Sequence, residues 1–308
     1  MFKSGFVAVV GKPNAGKSTL INSLVGYKVA ITTPKPQTTR FNIKGIVTSE
    51  TSQIIFVDTP GIHRPKNKLG KYMMKSVEGA LDKVDAVIYL VDATKKRLDE
   101  ANMEIVKSLA TGKKPVILAI NKVDAVRKPD ILEIMKMYID YSASVGGEFK
   151  EIIPISVYKK DGLDVLVKCL EDMLEEGEML FPEDDLTDIT EREIAEETIR
   201  EKALKNLNEE VPHGINVEIQ KMKMRKTADT GEQIYDIEAD IICEKKSHKG
   251  IVIGAGGEML KKIGTDARLD LERSMEVKVN LKLWVKVREN WIDNENFLKS
   301  FKAKTDDK

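Results

Sequence analysis

Eight residues near the start of the chain combine glycines with a lysine and a serine, in the order Gly11-Lys12-Pro13-Asn14-Ala15-Gly16-Lys17-Ser18. They follow an apolar run, Phe6 to Val10, that is typical of a buried strand, and they precede a helix-like run, Thr19 to Val25. In this context the glycines let backbone N–H groups turn toward phosphate oxygens, and the helix N-terminus adds positive potential. Lys17 can reach the β- and γ-phosphates, and Ser18 can ligate Mg²⁺. The pattern therefore predicts a phosphate-binding loop rather than a chance glycine-rich turn.

Three more polar stretches each follow an apolar strand pattern. Asp58-Thr59-Pro60-Gly61 follows the first of these strands. Its aspartate can hold Mg²⁺ through a water molecule, and its glycine can donate its backbone N–H to a γ-phosphate. Asn121-Lys122-Val123-Asp124 and Ser156-Val157 follow the other two. Ligands of parallel sheets lie at the carboxyl ends of the strands. We therefore expect all of these stretches to line one site.

The elements that must position these stretches alternate between strand and helix patterns. Such alternation predicts an α/β domain with a mostly parallel sheet and helices on both faces. The predicted strands are Phe6–Val10, Asn42–Ser49, Gln53–Val57, Ala86–Val91, Pro115–Ile120 and Glu151–Ile155, and the predicted helices are Thr19–Val25, Leu69–Leu81, Leu98–Ala110, Pro129–Tyr141 and Gly162–Glu176.

An acidic stretch, residues 177–189, breaks the helix pattern and is predicted to link a domain of residues 1–176 to a second domain, 190–308, that includes a C-terminal tail. The second domain begins with a capping-box pattern, Thr190 and Glu193, ahead of a long helix. The elements predicted there are helix Thr190–Asn208, strands Ile215–Met224 and Gln233–Cys243, helices Glu258–Gly264 and Thr265–Ser274, and strand Val277–Val287.

Composition favours an ordinary soluble protein. The chain has 308 residues, a length that suggests about two domains. Hydrophobic residues make up 42% of it, and its formal net charge is +0. Charge is unevenly spread: residues 171–210 hold 16 acidic and 4 basic residues, whereas residues 245–308 hold 15 basic and 10 acidic. The basic segment suits an anionic partner. We expect reduced cysteines, no signal peptide, no membrane span and a cytoplasmic location.

The stretches of the first half occur in the order of the five GTPase motifs, with Thr38-Thr39 as the second, and the chain resembles that family. The resemblance implies GTP and GDP as ligands, Mg²⁺ as cofactor and GTP hydrolysis as the activity. It implies that Ser18, Asp58 and Thr39 ligate the metal, with Thr38 as the less favoured alternative to Thr39. It also implies catalytic roles for Lys17, Thr39, Gly61 and Asn14. The implied nucleotide-binding residues are Gly11, Lys12, Pro13, Asn14, Ala15, Gly16, Lys17, Ser18, Thr19, Asp58, Thr59, Pro60, Gly61, Asn121, Lys122, Asp124, Ser156 and Val157.

The Asn-Lys-x-Asp motif separates guanine from adenine in that family, and its chemistry fits. Asp124 accepts hydrogen bonds from the guanine N1–H and 2-amino groups, Asn121 bridges the loops, and the Lys122 stem lies over the base. A nucleotide without those donors leaves the carboxylate unpaired and is rejected. The fifth motif departs from the usual Ser-Ala, but Val157 is tolerated because its contact is a backbone N–H.

The second half carries a Gly-x-x-Gly sequence, Gly254-Ala255-Gly256-Gly257, in an α-β-β-α-α-β order that resembles a type II KH domain. That domain clamps about four single-stranded nucleotides. The alternative is a glycine helix cap beside a solvated basic face; the element order and the nearby lysines favour the clamp, although Ala255 stands where the family commonly has a basic residue. The candidate RNA-binding residues are Lys245, Lys246, Lys249, Ile251, Ile253, Gly254, Ala255, Gly256, Gly257 and Lys261.

A GTPase domain followed by a KH domain resembles the Era family of bacterial GTPases over the whole chain, including Pro36-Gln37-Thr38-Thr39-Arg40. The resemblance implies a monomer that binds the 3′ end of 16S rRNA and aids assembly of the 30S subunit, with peripheral contact to the cytoplasmic side of the membrane in some members. The competing hypothesis is a membrane-associated signalling GTPase whose C-terminal domain docks protein or lipid.

The residue that activates water is not evident from the sequence. The position after Gly61 holds Ile62, which cannot hydrogen-bond, and His63 lies one residue further on, where a loop histidine is more often merely exposed. Arg40 and Arg64 are candidate charge donors. Asn14 has two equally supported interpretations: it helps bind K⁺ between the phosphates, as in GTPases of this hydrophobic-substituted type, or it stabilises the loop through a side-chain bond to the backbone.

Overall fold

The computed structural model describes residues 1–35, 38–208, 210–227, 231–295 and 297–298. Two compact units divide the chain. The first contains residues 1–30, 39–66 and 70–188, and the second contains residues 31–38, 67–69 and the chain from Ile189 onward. Pro36 and Gln37 of the predicted first-switch stretch, and most of the predicted C-terminal tail, lie outside the described residues.

A six-stranded sheet in the order β2-β3-β1-β4-β5-β6 forms the centre of the first unit. Only β2 is antiparallel to its neighbour; β3, β1, β4, β5 and β6 pair in parallel. This confirms the predicted mostly parallel sheet. The strands are β1 Lys3–Val10, β2 Ile43–Thr48, β3 Ser52–Asp58, β4 Ala86–Asp92, β5 Val116–Asn121 and β6 Glu151–Pro154.

Helices cover both faces of this sheet because successive strand residues point to opposite faces and both sets are buried. Ala8 and Val10 pack with α2, α3 and α4 in one core cluster, whereas Val7 and Val9 are fully buried on the other face. Helix α1 contacts β2 and β3, and α5 contacts β6. The helices are α1 Lys17–Val25, α2 Lys68–Lys83, α3 Glu100–Ala110, α4 Lys128–Ser144 and α5 Leu163–Met173.

Parallel pairing brings the carboxyl ends of the strands to one edge. Val9 of β1 lies opposite Asp58, the last residue of β3. Asp92, the last residue of β4, lies opposite Asn121, the last residue of β5. The polar residues predicted to form a site therefore emerge side by side.

The second unit has an α-β-β-α-α-β order around a three-stranded sheet, with β7 and β8 antiparallel and β8 and β9 parallel. The order agrees with the prediction, but its first middle helix, Lys246–Ile253, precedes the Gly-x-x-Gly sequence and was not among the predicted helices. Its core includes Ile199, Ile237 and Leu271. The elements are α6 Glu191–Asn206, β7 Ile215–Lys226, β8 Gln233–Cys243, α7 Lys246–Ile253, α8 Glu258–Met275 and β9 Lys278–Val287. The predicted capping box is present: Thr190 Oγ1 accepts from the Glu193 N–H, and the Glu193 carboxylate accepts from the Thr190 N–H.

The two predicted helices Glu258–Gly264 and Thr265–Ser274 are a single helix, so that division was wrong. Ile263, Ala267 and Leu271 are fully buried and recur every four residues, which gives α8 one continuous apolar stripe. Gly264 lies within it, and a Cβ there would stand 3.4 Å from Leu283. Packing against the sheet thus outweighs the roughly 1 kcal/mol that an interior glycine costs a helix.

Residues 177–188 of the predicted linker, 177–189, belong to the first unit and are hydrogen-bonded to its sheet. The Ile46 N–H donates to the Leu186 carbonyl at 2.9 Å, and Gln53 Nε2 donates to the Phe181 carbonyl at 2.9 Å. The backbone amide of Lys44 donates to the Asp188 carboxylate at 3.1 Å. The stretch has no helix or long strand, but it covers β2 and β3. None of the described helices is both long enough and apolar enough to cross a membrane.

Candidate nucleotide site and RNA clamp

The phosphate loop, residues 11–18, has the backbone turns that its glycines predict. Gly16 caps α1 with φ 105°, in the left-handed region, and a Cβ there would lie 2.4 Å from the Asn121 side-chain nitrogen. Gly11 has φ 153°, and a Cβ there would lie 2.3 Å from the Leu90 carbonyl oxygen. Only glycine fits either position, because larger residues would collide with these neighbours.

Lys17 lies under this loop with its side chain buried. Its ammonium donates to the carbonyl oxygens of Gly11 at 3.1 Å and Lys12 at 3.2 Å. Burial lowers the pKa of the Lys17 ammonium to about 8, although the Asp58 carboxylate opposes this shift. A buried ammonium held by two neutral carbonyls is prepared for an anionic ligand.

Asp58, Ser18 and Thr39 meet at the carboxyl end of β3. Ser18 Oγ donates to Asp58 Oδ2 at 2.7 Å, and Thr39 Oγ1 donates to the same oxygen at 3.1 Å. Burial raises the pKa of the Asp58 carboxyl, while Lys17 and the two hydroxyls oppose that shift. Asp58 Oδ1 is buried with no hydrogen-bond partner among the described residues. Two hydroxyls and an unpaired carboxylate oxygen fit the oxygen chemistry of Mg²⁺, so the predicted metal set is brought together.

The stretch after Asp58 is attached to the first strand and the phosphate loop. Thr59 Oγ1 donates to the Val9 carbonyl at 2.8 Å. The Ile62 N–H donates to the Gly11 carbonyl at 3.0 Å, and a Cβ on Gly61 would lie 2.9 Å from Pro13. Pro60 and Gly61 therefore lie against the phosphate side of the site.

Asn121 joins the base side of the site to the phosphate loop. Its Nδ2 donates to the Ala15 carbonyl at 2.9 Å, and its Oδ1 accepts from the backbone amides of Lys122 at 2.8 Å and Val157 at 3.2 Å. The predicted bridge between the motifs is thus present in the structure.

The Lys122 side chain crosses the site to reach the Asn14 carbonyl at 3.0 Å and Asp92 at 2.6 Å. No sequence motif pointed to Asp92, although its position at a strand end on the same edge was a usable signal. Burial opposes ionisation of Asp92, but the Lys122 ammonium and the hydrogen bonds from Thr94 outweigh it and lower the pKa of this carboxyl.

Asp124 is exposed and is oriented by Ser156, whose hydroxyl donates to Asp124 Oδ1 at 2.5 Å. The other carboxylate oxygen of Asp124, Oδ2, is not used in this hydrogen bond and can accept hydrogen bonds from a base. Val157 is buried and Tyr158 is 87% exposed, so the departure from Ser-Ala leaves the backbone of the motif in place.

Other loop residues have partners that limit their roles. Lys12 pairs with the N-cap residue Asp99 at 2.5 Å, a contact that sequence analysis missed. Arg64 is directed toward Glu104, 3.3 Å away on α3, and Arg40 is buried. Thr19 is exposed at the start of α1. Asn14 is exposed and has φ 64°, a left-handed conformation that asparagine tolerates better than most residues.

Residues 31–38, which precede Thr39, belong to the second unit. There the Glu201 carboxylate accepts from the Thr32 N–H at 2.9 Å, and the Arg200 guanidinium donates to the Thr38 carbonyl. Arg200 and Glu201 are both almost fully buried on α6, and Arg200 also pairs with Glu197 at 2.5 Å. The residue pattern predicts only an ordinary long helix here, so these buried charges were not anticipated.

The clamp loop, residues 254–257, connects α7 to α8. Gly254, Gly256 and Gly257 all have left-handed φ values, 75°, 57° and 83°. A Cβ on Gly254 would lie 2.6 Å from Met259, whereas one on Gly256 or Gly257 would meet nothing within 4 Å. The loop therefore presents bare backbone to the outside, beside the N-terminus of the 18-residue helix α8.

The predicted basic residues lie on the two helices that flank this loop: Lys245 and Lys246 begin α7 at its far end, Lys249 lies within α7, and Lys261 lies in α8. Lys245, Lys246, Lys249 and Lys261 are all exposed or partly exposed. Ile251 is 50% exposed, whereas Ile253 packs against the core. Because α7 is a helix, residues two apart lie about 200° apart around its axis. The two isoleucines thus do not form the shared floor that was expected, and Ile251 is the more exposed of the pair.

Comparison with known proteins matches both units to families. Residues 6–122 match the model of the 50S ribosome-binding GTPase family, and residues 210–292 match the KH domain model. GTPase Era of Clostridioides difficile strain 630 is 48% identical over 302 residues, which cover 98% of both chains. GTPase Era of Clostridium beijerinckii is 46% identical over 308 residues, the full length of both chains.

Two solved structures match nearly the whole chain. One is Era in complex with MgGDPNP and nucleotides 1506–1542 of 16S ribosomal RNA, with a TM-score of 0.91, 38% identity and coverage of 98% of this chain and 99% of that one. The other is a point variant of Aquifex aeolicus Era bound to GDP·AlF4⁻, with a TM-score of 0.90, 39% identity and coverage of 97% and 99%.

The pKa of Lys17 predicts proton uptake when a nucleotide binds. Above pH 8 the free lysine is mostly neutral, and phosphate oxygens raise its pKa by favouring the charged form. Binding should therefore take up part of a proton above pH 8, and affinity should fall as the pH rises there, by at most about tenfold per pH unit. Titration calorimetry of GDP binding in buffers of different ionisation enthalpy measures the uptake. No uptake at pH 8.5, or uptake unchanged in Lys17→Met, would contradict this assignment.

Asp124→Asn should shift base preference from guanine to xanthine. Ser156 still donates to the retained oxygen, so the new amide nitrogen faces the base, where it repels the guanine amino group and can donate to the xanthine 2-oxo group. We expect GTP affinity to fall at least about 100-fold relative to xanthosine triphosphate, as for lost bonds to a charged group. Competition binding measures the ratio, with Asp164→Asn, exposed on α5, as the control. Unchanged GTP preference would show that Asp124 does not read the base.

Proposed function

This chain belongs to the GTPase Era family, and we propose that it binds and hydrolyses GTP, binds the single-stranded 3′ end of 16S rRNA and aids assembly of the 30S ribosomal subunit. The observation that carries the nucleotide part is the convergence of buried Lys17 and Asp58 with the hydroxyls of Ser18 and Thr39. Such charges are stable away from water only when they are paired, and a nucleotide polyphosphate with its metal pairs both.

The residues divide the work of hydrolysis. Lys17 and the turned amides of the phosphate loop would bind the β- and γ-phosphates, and the Gly61 N–H would bind the γ-phosphate. Ser18, Thr39 and Asp58 would hold Mg²⁺, which neutralises developing charge on the phosphates when bound. Asp124, Asn121 and Lys122 hold the guanine, so the γ-phosphate is positioned from both ends.

The RNA part rests on the clamp loop. The bare glycine backbone and the N-terminus of α8 provide hydrogen-bond donors, and the lysines of the two flanking helices add positive charge. An extended single strand fits this loop because its phosphates can approach the backbone closely. The relative of known structure that contains nucleotides 1506–1542 of 16S rRNA supports this choice of RNA.

We place the protein in the cytoplasm, where GTP and ribosomal RNA occur. Peripheral contact with the cytoplasmic side of the membrane stays a secondary part of the proposal. A membrane-docked signalling GTPase is the rival function, and no feature of the clamp loop favours it over RNA.

One experiment tests the proposed function. Purified protein is assayed for GTP hydrolysis, for affinity toward an oligonucleotide of the 16S rRNA 3′ end, and for cosedimentation with 30S particles. We expect hydrolysis, salt-sensitive RNA binding and nuclease-sensitive cosedimentation. Binding to anionic liposomes without RNA affinity would instead support the membrane alternative.

Negative charge in the clamp loop should weaken RNA binding. The double variant Ala255→Asp, Gly256→Asp places carboxylates beside RNA phosphates, and aspartate tolerates the left-handed φ of 57° at position 256. We expect RNA affinity to fall about tenfold or more with GTP affinity unchanged. The variant Ala255→Asn, Gly256→Asn has the same shape without charge and should lose much less. Equal RNA affinity in all three proteins would remove the clamp loop from the proposal.

We also propose that K⁺ assists hydrolysis through Asn14. The side chain of Asn14 is exposed at the turn of the phosphate loop, while its backbone carbonyl is engaged by Lys122. A cation held there would neutralise charge between the β- and γ-phosphates, as an arginine finger does in other GTPases. Arg64 is instead directed toward Glu104.

Turnover should therefore be faster in K⁺ than in Na⁺ at equal ionic strength. Asn14→Gly removes the amide but keeps the left-handed backbone, since glycine adopts φ 64° without strain. This variant should lose the difference between the salts and retain GTP affinity within about threefold, because the loop amides still bind the phosphates. Identical wild-type rates in K⁺ and Na⁺ would instead support the structural role of Asn14.

A further inference from the structure

The imidazole of His63 is oriented by a bond within its own loop. One ring nitrogen, Nδ1, lies 2.7 Å from the carbonyl oxygen of Gly61, and the side chain is half-buried. A carbonyl only accepts hydrogen bonds, so Nδ1 carries the proton and donates it. The sequence suggested an exposed loop histidine, and the structure instead shows an oriented one.

This bond determines what the other nitrogen can do. In a neutral imidazole with its proton on Nδ1, Nε2 has a lone pair and accepts hydrogen bonds. Nε2 of His63 is buried and has no hydrogen-bond partner among the described residues. A buried acceptor left without a partner costs about 1–3 kcal/mol, so a role in binding or catalysis is the first explanation to test.

The contacts of the two preceding residues show where the backbone of this segment lies. The carbonyl that holds the ring belongs to Gly61, which lies against Pro13 of the phosphate loop. The next amide, that of Ile62, donates to the Gly11 carbonyl at 3.0 Å. Both contacts place the backbone next to His63 beside the loop that receives the γ-phosphate. Ile62 itself packs against the hydrophobic core and has no polar side-chain atom to offer.

We propose that Nε2 of His63 accepts a hydrogen bond from the water molecule that attacks the γ-phosphate, which makes His63 a catalytic residue. This proposal rests on the proposed GTPase function. The water oxygen forms a bond to the γ-phosphorus, and the bond from that phosphorus to the β,γ-bridging oxygen breaks, with its electron pair remaining on GDP. One water proton passes to Nε2, and the resulting imidazolium releases it to solvent after the inorganic phosphate leaves.

Two substitutions separate this role from a structural one, because each preserves one half of the ring. His63→Asn can place an amide nitrogen near the Nδ1 position, where it can donate to the Gly61 carbonyl, but it has no atom at the Nε2 position. His63→Gln can place an amide oxygen near the Nε2 position, where it can accept from water, but it loses the short link to Gly61. Lys66→Gln, at an exposed position of the same loop, is the matched control.

The measurement is single-turnover GTP hydrolysis at saturating GTP with Mg²⁺ and K⁺, alongside GTP affinity. We expect His63→Asn to slow hydrolysis about 100-fold, as for loss of a general base. The GTP affinity of His63→Asn should be unchanged. The hydrolysis rate of His63→Gln should remain within about tenfold of the wild-type rate because glutamine orients water in other GTPases. Lys66→Gln should match wild type in both measurements. If His63→Asn hydrolyses GTP at the wild-type rate, the proposal is overturned. If His63→Gln is slow in that same case, the role of His63 is the structural hydrogen bond to Gly61. A wild-type protein that hydrolyses no GTP would overturn the proposed function instead.

Discussion

The burial of two opposite charges, Lys17 and Asp58, is the constraint on which the first unit depends. Both side chains are buried, and burial lowers the pKa of the lysine while it raises the pKa of the aspartate. Each shift reports that the charged form is disfavoured without a further partner. The fold tolerates this arrangement because carbonyl oxygens and hydroxyls compensate part of the cost. The rest of the compensation is left to a ligand that carries phosphate and metal, which explains why such a pair lies at the edge of the sheet and not at its centre.

The proposed phosphate-binding feature of the second unit is the clamp loop, which differs from the nucleotide site in its physical basis. This loop has no buried charge, and three left-handed glycines instead keep side chains away from the backbone amides. The lysines of the two flanking helices act at longer range and are screened by salt. In the proposed function, the nucleotide site gains selectivity from desolvated groups, whereas the clamp loop gains close approach to the RNA backbone. Phosphate, the group that both units are proposed to bind, would meet buried groups in one unit and exposed groups in the other.

Sequence predicted what depends on local chemistry. The phosphate loop, the carboxyl-edge placement of Asp58 and Asn121, and the capping box at Thr190 all follow from residue types at fixed spacing, and the structure contains them. What it missed depends on tertiary packing. Helix α8 passes through Gly264 without a break because its buried stripe continues on both sides, and α6 buries Arg200 and Glu201 because residues 31–38 supply partners for them. Neither propensity nor spacing contains that information.

Asn121 shows how one side chain makes the two ends of the nucleotide site interdependent. It donates to the Ala15 carbonyl and accepts from the Val157 amide, so the phosphate loop and the base loops share one rigid connector. The absence of a Cβ at Gly16 is part of the same contact, since that atom would stand 2.4 Å from the donating nitrogen. A displacement of the base loops therefore changes the backbone that faces the phosphates. Discrimination at the base and positioning at the γ-phosphate are in this way properties of one hydrogen-bonded unit, so we expect a nucleotide bound with the wrong base to be held poorly for hydrolysis as well.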